Sequence, residues 1–474
     1  MDARTIGRRR LAGMLSGAIL AVTSALLTAA PVTADETTVG SYPSEFTAVA
    51  GRVFFSAGGV AVGPDRGLWM TDGTHASTRL VRTFQHGPSD LTAMDGKAWF
   101  LASPTSAGRG LWMSDGTAPG TRSIRSFRVE DEGRPILLTR VRDRLFFLVD
   151  ACMSDAGYQL WTSDGTPTGT VRLRTFRCRD RYGDVDSPGE LVAVGGQVFF
   201  GVDTKGIGYE LWASDGTHEG TRLVRDLWAG PEAGYAWPIA AHRGLLYFWG
   251  SDRVHGTALW RSDGTTAGTR LVKDIDGPSA VALRAAVVKP AGTAHLGRRL
   301  FFGASDGTSS GLWATDGTRS GTTRIKAFSG GFLGPIKVAD RLFMVGGDAA
   351  TGQELWVSDG TTAGTHRVRD IRQGPRSSRI DALTAFGRMA FFVADDGIHG
   401  REPWVSDGTA AGTHLLRDIA RGPDAGWGCL TDQSVGVAIG LVFLAANDGV
   451  RGCEPWRSDG TRAGTRRLGD LARP

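Results

Sequence analysis

Leu111 to Thr121 reads Leu-Trp-Met-Ser-Asp-Gly-Thr-Ala-Pro-Gly-Thr, and close variants of this string occur nine times along the chain. The tryptophans index the copies: Trp69, Trp112, Trp161, Trp212, Trp260, Trp313, Trp356, Trp404 and Trp456. Successive copies lie 43, 49, 51, 48, 53, 43, 48 and 52 residues apart. A near-constant period of this size is the signature of a solenoid or a propeller, whose units are too small to hold a core alone and stack on their neighbours.

Asp-Gly-Thr is present in every copy, beginning at Asp72, Asp115, Asp164, Asp215, Asp263, Asp316, Asp359, Asp407 and Asp459. A glutamate precedes the core only at Glu210, Glu354, Glu402 and Glu454, and the last two copies read Glu-Pro-Trp. This set resembles the bacterial repeat family named for its Glu-Leu-Trp-x-x-Asp-Gly-Thr core, over nearly the whole chain beyond residue 34. The resemblance implies an exported bacterial protein and carries no settled activity.

Within the first copy, Phe46-Thr47-Ala48-Val49-Ala50 and Val53-Phe54-Phe55-Ser56 flank a Gly51-Arg52 turn and read as a hairpin. Leu68-Trp69-Met70-Thr71 and Thr78-Arg79-Leu80-Val81-Arg82 flank the Asp-Gly-Thr turn. These four strands, A to D, make one propeller blade. The predicted fold is all-β, a propeller of nine four-stranded repeats, with a smaller ring carrying surplus units or an open β array as alternatives. Either each blade is complete, or strand A of copy one completes the last. Aromatic pairs such as Phe146-Phe147, Phe199-Phe200, Phe301-Phe302 and Phe391-Phe392 are the expected filling between blades. The basic residues of strand D, such as Arg222, Arg225, Arg270 and Lys273, suit an outer edge guarded against foreign strands, or a belt for anionic polysaccharide.

Residues 1–34 read as an export signal. Arg4, Arg8, Arg9 and Arg10 precede an uncharged run from Leu11 to Ala30, and Val32-Thr33-Ala34 is a small-residue cleavage site. Residues 35–45 then form a linker and 46–474 the repeat domain. The expected location is secreted or cell-surface, with no membrane span in the mature chain. Removing four arginines and Asp2 from 54 basic and 49 acidic residues leaves 50 and 48. Such near-neutrality argues against nucleic acid as a partner. Glycine, 68 of 474 residues, is about twice its usual share of ~7%, as recurring turns require.

The nine aspartates read as structural turns: Asp-Gly between strands caps backbone N–H groups, and glycine supplies a positive φ. Calcium is the one cofactor the sequence leaves open. Asp184, Asp186 and Glu190 place oxygen donors at alternate positions without a complete twelve-residue loop, and the Asp395-Asp396-Gly397 and Asn447-Asp448-Gly449 loops pair with Glu402 and Glu454. No zinc spacing, nucleophile elbow or catalytic constellation stands out. Trp228, Tyr235, Trp237, Trp249 and Trp427 are aromatics outside the repeat, suited to sugars or partner pockets or to anchoring connections. The reading is therefore a monomeric, non-catalytic binding or scaffold protein for extracellular carbohydrate or protein, the alternative being a carbohydrate-active hydrolase or lyase with a site in the central channel.

Four cysteines in an exported chain permit disulfides. Cys152 and Cys453 fall in B–C loops, and Cys178 and Cys429 in connections between blades on the same face. That placement predicts Cys152–Cys178 and Cys429–Cys453.

Overall fold

The computed structural model describes residues 40–58, 66–106, 108–154, 156–178, 188–275, 292–422, 429 and 434–471. They form nine four-stranded antiparallel sheets, each built from four consecutive strands, arranged as a nine-bladed propeller. In blade one, strand A is Ser44–Val49, B Arg52–Ala57, C Arg66–Thr71 and D Arg79–Phe84. The last blade also holds its own four strands, so strand A of copy one does not complete it.

Strand A is innermost, and neighbouring A strands touch around the ring. The circuit closes where strand A of blade nine, Val435–Ala438, meets strand A of blade one. Phe46 lies 5.2 Å from Phe55 and 5.8 Å from Phe443, joining the two blades in one apolar cluster. Neither the smaller ring nor the open array is adopted. Residues 40–42, within the segment read as linker, dock on blade nine: Ser41 and Tyr42 donate their N–H groups to Cys453 O at 2.8 and 2.9 Å.

The core lies between blades. Phe55, Phe100, Phe147, Phe200, Phe248 and Phe392 of the B strands are wholly buried, together with Leu68, Leu111, Leu160, Leu211, Leu259, Leu312 and Leu355 beside the repeat tryptophans.

Strand D takes two forms. In blades one, two, three and six it runs on to Phe84, Phe127, Phe176 and Phe328. Each ring meets the next blade's tryptophan edge-on, at centroid distances of 5.1, 5.1, 4.9 and 5.0 Å. In the other blades D is shorter: Arg222–Arg225, Arg270–Lys273, His366–Arg369, His414–Leu415 and Arg466–Arg467. The four glutamates belong to this second form. Glu210, Glu354, Glu402 and Glu454 accept the N–H of Leu227, Ile371, Ile419 and Leu471 at 3.0, 3.0, 3.0 and 2.9 Å, and so hold the chain as it leaves D. Where D continues, that space is closed: at Gly110 and Gly311 an added Cβ would lie 2.4 and 2.1 Å from the carbonyl oxygens of Arg125 and Lys326.

Candidate functional site

Each Asp-Gly-Thr turn is a closed hydrogen-bonded unit. Asp115 Oδ1 accepts the N–H and hydroxyl of Thr117 at 2.9 and 2.7 Å, Thr117 Oγ1 accepts the N–H of Gly120, and Ser114 Oγ lies 2.7 Å from Thr121 Oγ1. The aspartate-to-threonine pair recurs at Asp72, Asp164, Asp215, Asp263, Asp316, Asp359, Asp407 and Asp459. Hydrogen bonds to the ionised form, chiefly from side chains of the same turn, hold all nine below the usual carboxylate range. Among the described residues no three His, Cys, Asp or Glu side chains gather as metal ligands. Asp184 and Asp186 lie outside the described residues, and Glu190 is exposed. Glu402 and Glu454 turn toward the residues after strand D, and Asp396 Oδ1 instead caps the N–H groups of Ile398 and His399.

Of the five aromatic candidates, Trp427 lies outside the described residues. Trp249 is a correction: it is 8% exposed and packs against Phe302 at 5.9 Å, because strand B of blade five carries it into the core shared with blade six. Tyr235 and Trp237 are half-buried and in contact at 5.9 Å, with Trp237 edge-on to the buried Tyr209 at 6.3 Å. Trp228, also half-buried, sits apart on the connection held by Glu210, which accepts its N–H at 3.4 Å. Both expected disulfides are present, with Cα–Cα distances of 5.8 Å for Cys152–Cys178 and 5.4 Å for Cys429–Cys453.

Strand D is the edge strand of each sheet, and of its cations Arg270 is exposed and donates to Ala267 O of its own turn at 3.1 Å, whereas others cross to the next blade. Arg82, Arg174, Arg225 and Lys273, with Arg417 just beyond the short strand D of blade eight, donate to the carbonyls of Thr121, Thr221, Thr269, Thr322 and Thr465 at 2.9, 3.2, 2.7, 2.7 and 2.6 Å. The same groups lie over Trp112, Trp212, Trp260, Trp313 and Trp456 at 4.8, 4.7, 5.6, 5.8 and 5.6 Å. The turn glycine packs backwards: an added Cβ at Gly116, Gly165 or Gly317 would come 2.7, 2.8 or 2.5 Å from Met70, Trp99 or Tyr247 of the preceding blade. The repeat motif is thus the joint between blades, and positions that differ between copies are free of that role.

One such place lies between blades five and six, on the face of the Asp-Gly-Thr turns. A cleft of about 510 Å³ is lined by Arg243, Arg298, Arg299, Asp316, Gly321 and Thr323. Arg243 follows strand A of blade five, Trp237–His242; Arg298 lies in the A–B turn of blade six, after Ala294–Leu296, and Arg299 opens its strand B, Arg299–Ser305. Asp316 is engaged by Thr318, and Arg299 donates to Thr323 Oγ1 at 2.9 Å, which fixes its guanidinium at the wall. Three cations therefore face one already hydrogen-bonded carboxylate.

Beside the cleft, His242 Nδ1 and His295 Nδ1 are 2.8 Å apart, with rings stacked at 4.9 Å and only 7° between planes. His242 Nε2 lies 3.2 Å from Arg298 O. A carbonyl only accepts, so His242 carries its proton on Nε2 and offers the Nδ1 lone pair. His295 must then donate from Nδ1, which leaves its Nε2 lone pair uncommitted. Burial holds both imidazoles below the usual histidine range, aided by Arg243 for His242 and by His242 and Lys337 for His295. His242 is 6% exposed and His295 exposed. Neither histidine was singled out by the sequence, because they are 53 residues apart, one repeat length, and so show no local pair spacing.

No protein-family profile matches this chain, and no curated protein does. Among solved structures, the computationally designed Ika8 protein is similar over 87% of this chain and 97% of its own, at 14% identity and a TM-score of 0.39. Puromycin hydrolase is similar over 76% of this chain and 59% of its own, at 14% identity and a TM-score of 0.41. Saccharomyces cerevisiae Sqt1 is similar over 79% of this chain and 96% of its own, at 10% identity and a TM-score of 0.43. Likenesses this distant assign no activity. Among the described residues no helix is long and apolar enough to cross a membrane.

Proposed function

We propose that the protein is an exported, non-catalytic binding protein whose ligand is an acidic carbohydrate, received in the cleft between blades five and six. The observation that carries this reading is the convergence of Arg243, Arg298 and Arg299 on one concave site whose single carboxylate is already hydrogen-bonded. Arginine presents a planar, always charged fork matched to carboxylate and sulfate oxygens. A ring whose successive blades share the contacts of Arg82, Arg174, Arg225, Lys273 and Arg417 supplies a rigid frame for such a site. The export reading is supported by the arginine-led apolar run of residues 1–34, by the two disulfides and by the likeness of the nine repeats to the Glu-Leu-Trp-x-x-Asp-Gly-Thr family.

Titration calorimetry with polygalacturonate, a sulfated glycan and neutral dextran tests this. The two anions should bind and dextran should not, and replacing Arg243, Arg298 and Arg299 together by alanine should abolish binding while the circular dichroism spectrum stays all-β. Equal affinity for dextran would sink the reading. The appearance of new reducing ends on incubation would replace it with a hydrolase or lyase.

A further inference from the structure

We propose that His242 and His295 form a one-proton switch that adds a positive charge beside the arginine cleft, so that the ligand is held more tightly in acid than at neutral pH. The inference rests on reading the cleft as an anion site and extends it to a regulator that lines no part of the cleft wall.

The geometry sets the number of protons. In the neutral pair, His295 Nδ1–H donates to His242 Nδ1, and His242 Nε2–H donates to Arg298 O. One further proton can add at His295 Nε2 without breaking either bond. A second would have to add at His242 Nδ1, where it would oppose the N–H of His295 across 2.8 Å. The pair therefore takes up a single proton, on the exposed ring.

The surroundings explain why that proton waits for a ligand. Arg243 follows His242 directly, Arg298 is held through its carbonyl, and Lys337 of blade seven acts on His295. Tyr247, whose ring lies 5.9 Å from that of His242, is buried and held above its usual value, so it stays neutral in this range. Arg261 and Asp316 also act on Tyr247, and Asp316 lines the cleft. A cation added among these cations is unfavourable in the empty cleft. An anion seated on Arg243, Arg298 and Arg299 offsets that repulsion, and by reciprocity proton uptake tightens the anion.

Sucrose octasulfate is a suitable probe, because its sulfate esters keep their charge from pH 5 to 8.5 and any pH dependence belongs to the protein. The wild-type dissociation constant should fall at least about threefold between pH 8 and pH 5.5, as expected for one added charge several ångströms away in a partly solvated site. His295→Gln should bind at pH 8 like the wild type and show no such change. Nitrogen-15 spectra of the histidine rings should show one residue of the pair titrating, with a higher midpoint when the probe is saturating. A wild-type affinity that ignores pH, or a His295→Gln variant that keeps the wild-type dependence, overturns the switch and leaves the cleft standing. If the probe binds at no pH, both the cleft reading and the switch fall.

Discussion

Glu210 Oε2 accepts the backbone N–H of Leu227 at 3.0 Å from a fully buried position, and Oε1 accepts that of Gly234 at 2.8 Å. The carboxylate ties the end of strand D to strand C and to the connection that enters the next blade. Its burial outweighs these bonds and pushes its pKa up from 4.5 to about 8; Glu354 and Glu402, built alike, reach about 7. The folded chain thus binds these protons more tightly than the unfolded chain does.

The sign of the resulting pH dependence follows. The stabilisation linked to Glu210 is complete below the unfolded value of 4.5 and is lost as pH rises through about 8. The histidine pair runs the other way: with folded pKa values lowered, its share is present above about 6.5 and is lost in acid. The two are separated by comparing variants. Glu210→Gln keeps an acceptor oxygen, so its melting temperature relative to wild type should rise steadily from pH 5 to pH 8.5. A difference that stays flat over that range would show that Glu210 is not protonated in the folded chain. Glu210→Ala should cost about 1–3 kcal/mol, because three buried or half-buried N–H groups lose their acceptor.

The joint between blades gives a second expectation. Arg225 both donates to Thr269 O at 2.7 Å and lies over Trp260 at 5.6 Å, while Lys273 makes the corresponding contacts one blade on. Arg225→Lys should therefore be mild, and Arg225→Met should cost about 1–3 kcal/mol through the lost charged donor. Chemical denaturation of both variants checks this. Equal losses would mean that the alkyl stem, not the cation, makes the joint.

Much of this architecture was legible because period and turn chemistry are properties of the string itself. Nine copies of Asp-Gly-Thr fixed the blades, and the order of loops around a blade fixed which face each cysteine reached. The two forms of strand D were also present in the sequence and went unread. Glu210, Glu354, Glu402 and Glu454 are each followed, seventeen residues on, by Leu227, Ile371, Ile419 and Leu471 after an aspartate, whereas four of the five copies lacking glutamate carry Thr-Phe, Ser-Phe or Ala-Phe near that point; the fifth, with Ala258, keeps Asp274-Ile275 and the short strand. The reach of Arg225 and Lys273 to the next blade was not legible for a different reason. Their alternation resembles that of an exposed edge, and only the placement of the next blade shows what they touch. The cleft was hidden altogether, since Arg243 and Arg298 join it from turns of different repeats and their neighbours in sequence are unremarkable.

A third expectation concerns the second glycine of the turn. An added Cβ at Gly169 would lie 2.0 Å from Asp164 Oδ1, and the same clash holds at its counterparts Gly120, Gly220 and Gly268. Blade one has Ser77 there, and its hydroxyl donates to Asp72 Oδ1 while Asp72 keeps its bond to Thr74. Gly169→Ala should accordingly destabilise by about 1–3 kcal/mol through overpacking, and Gly169→Ser by clearly less. Thermal melts of the pair decide it. If serine were the worse of the two, hydrogen bonding to the aspartate would not be what rescues the clash.

The last expectation concerns the closing junction, where a glycine stands in the place of the cation that Arg417 supplies at the preceding junction. Gly469 occupies the place that Arg417 fills in blade eight, so at that position blade nine has no side chain to set over Trp69. Residues 40–42 bridge the same two blades instead. Ser41 Oγ donates to Glu454 Oε2 at 2.8 Å, Gly58 N–H donates to Ser41 O at 2.8 Å, and Arg66 of strand C in blade one donates to Tyr42 O at 2.6 Å. These contacts, with the two N–H bonds to Cys453 O, pin blade nine to blade one through a short segment. A chain beginning at Pro43 should therefore melt at lower temperature than one beginning at Gly40. Its amide exchange should also quicken first in Cys453–Ser458 and Arg66–Thr71, the C strands on either side of the seam. Exchange that quickened evenly around the ring would show that Phe46 and Phe443 suffice to close it, and that residues 40–42 add nothing specific to the seam.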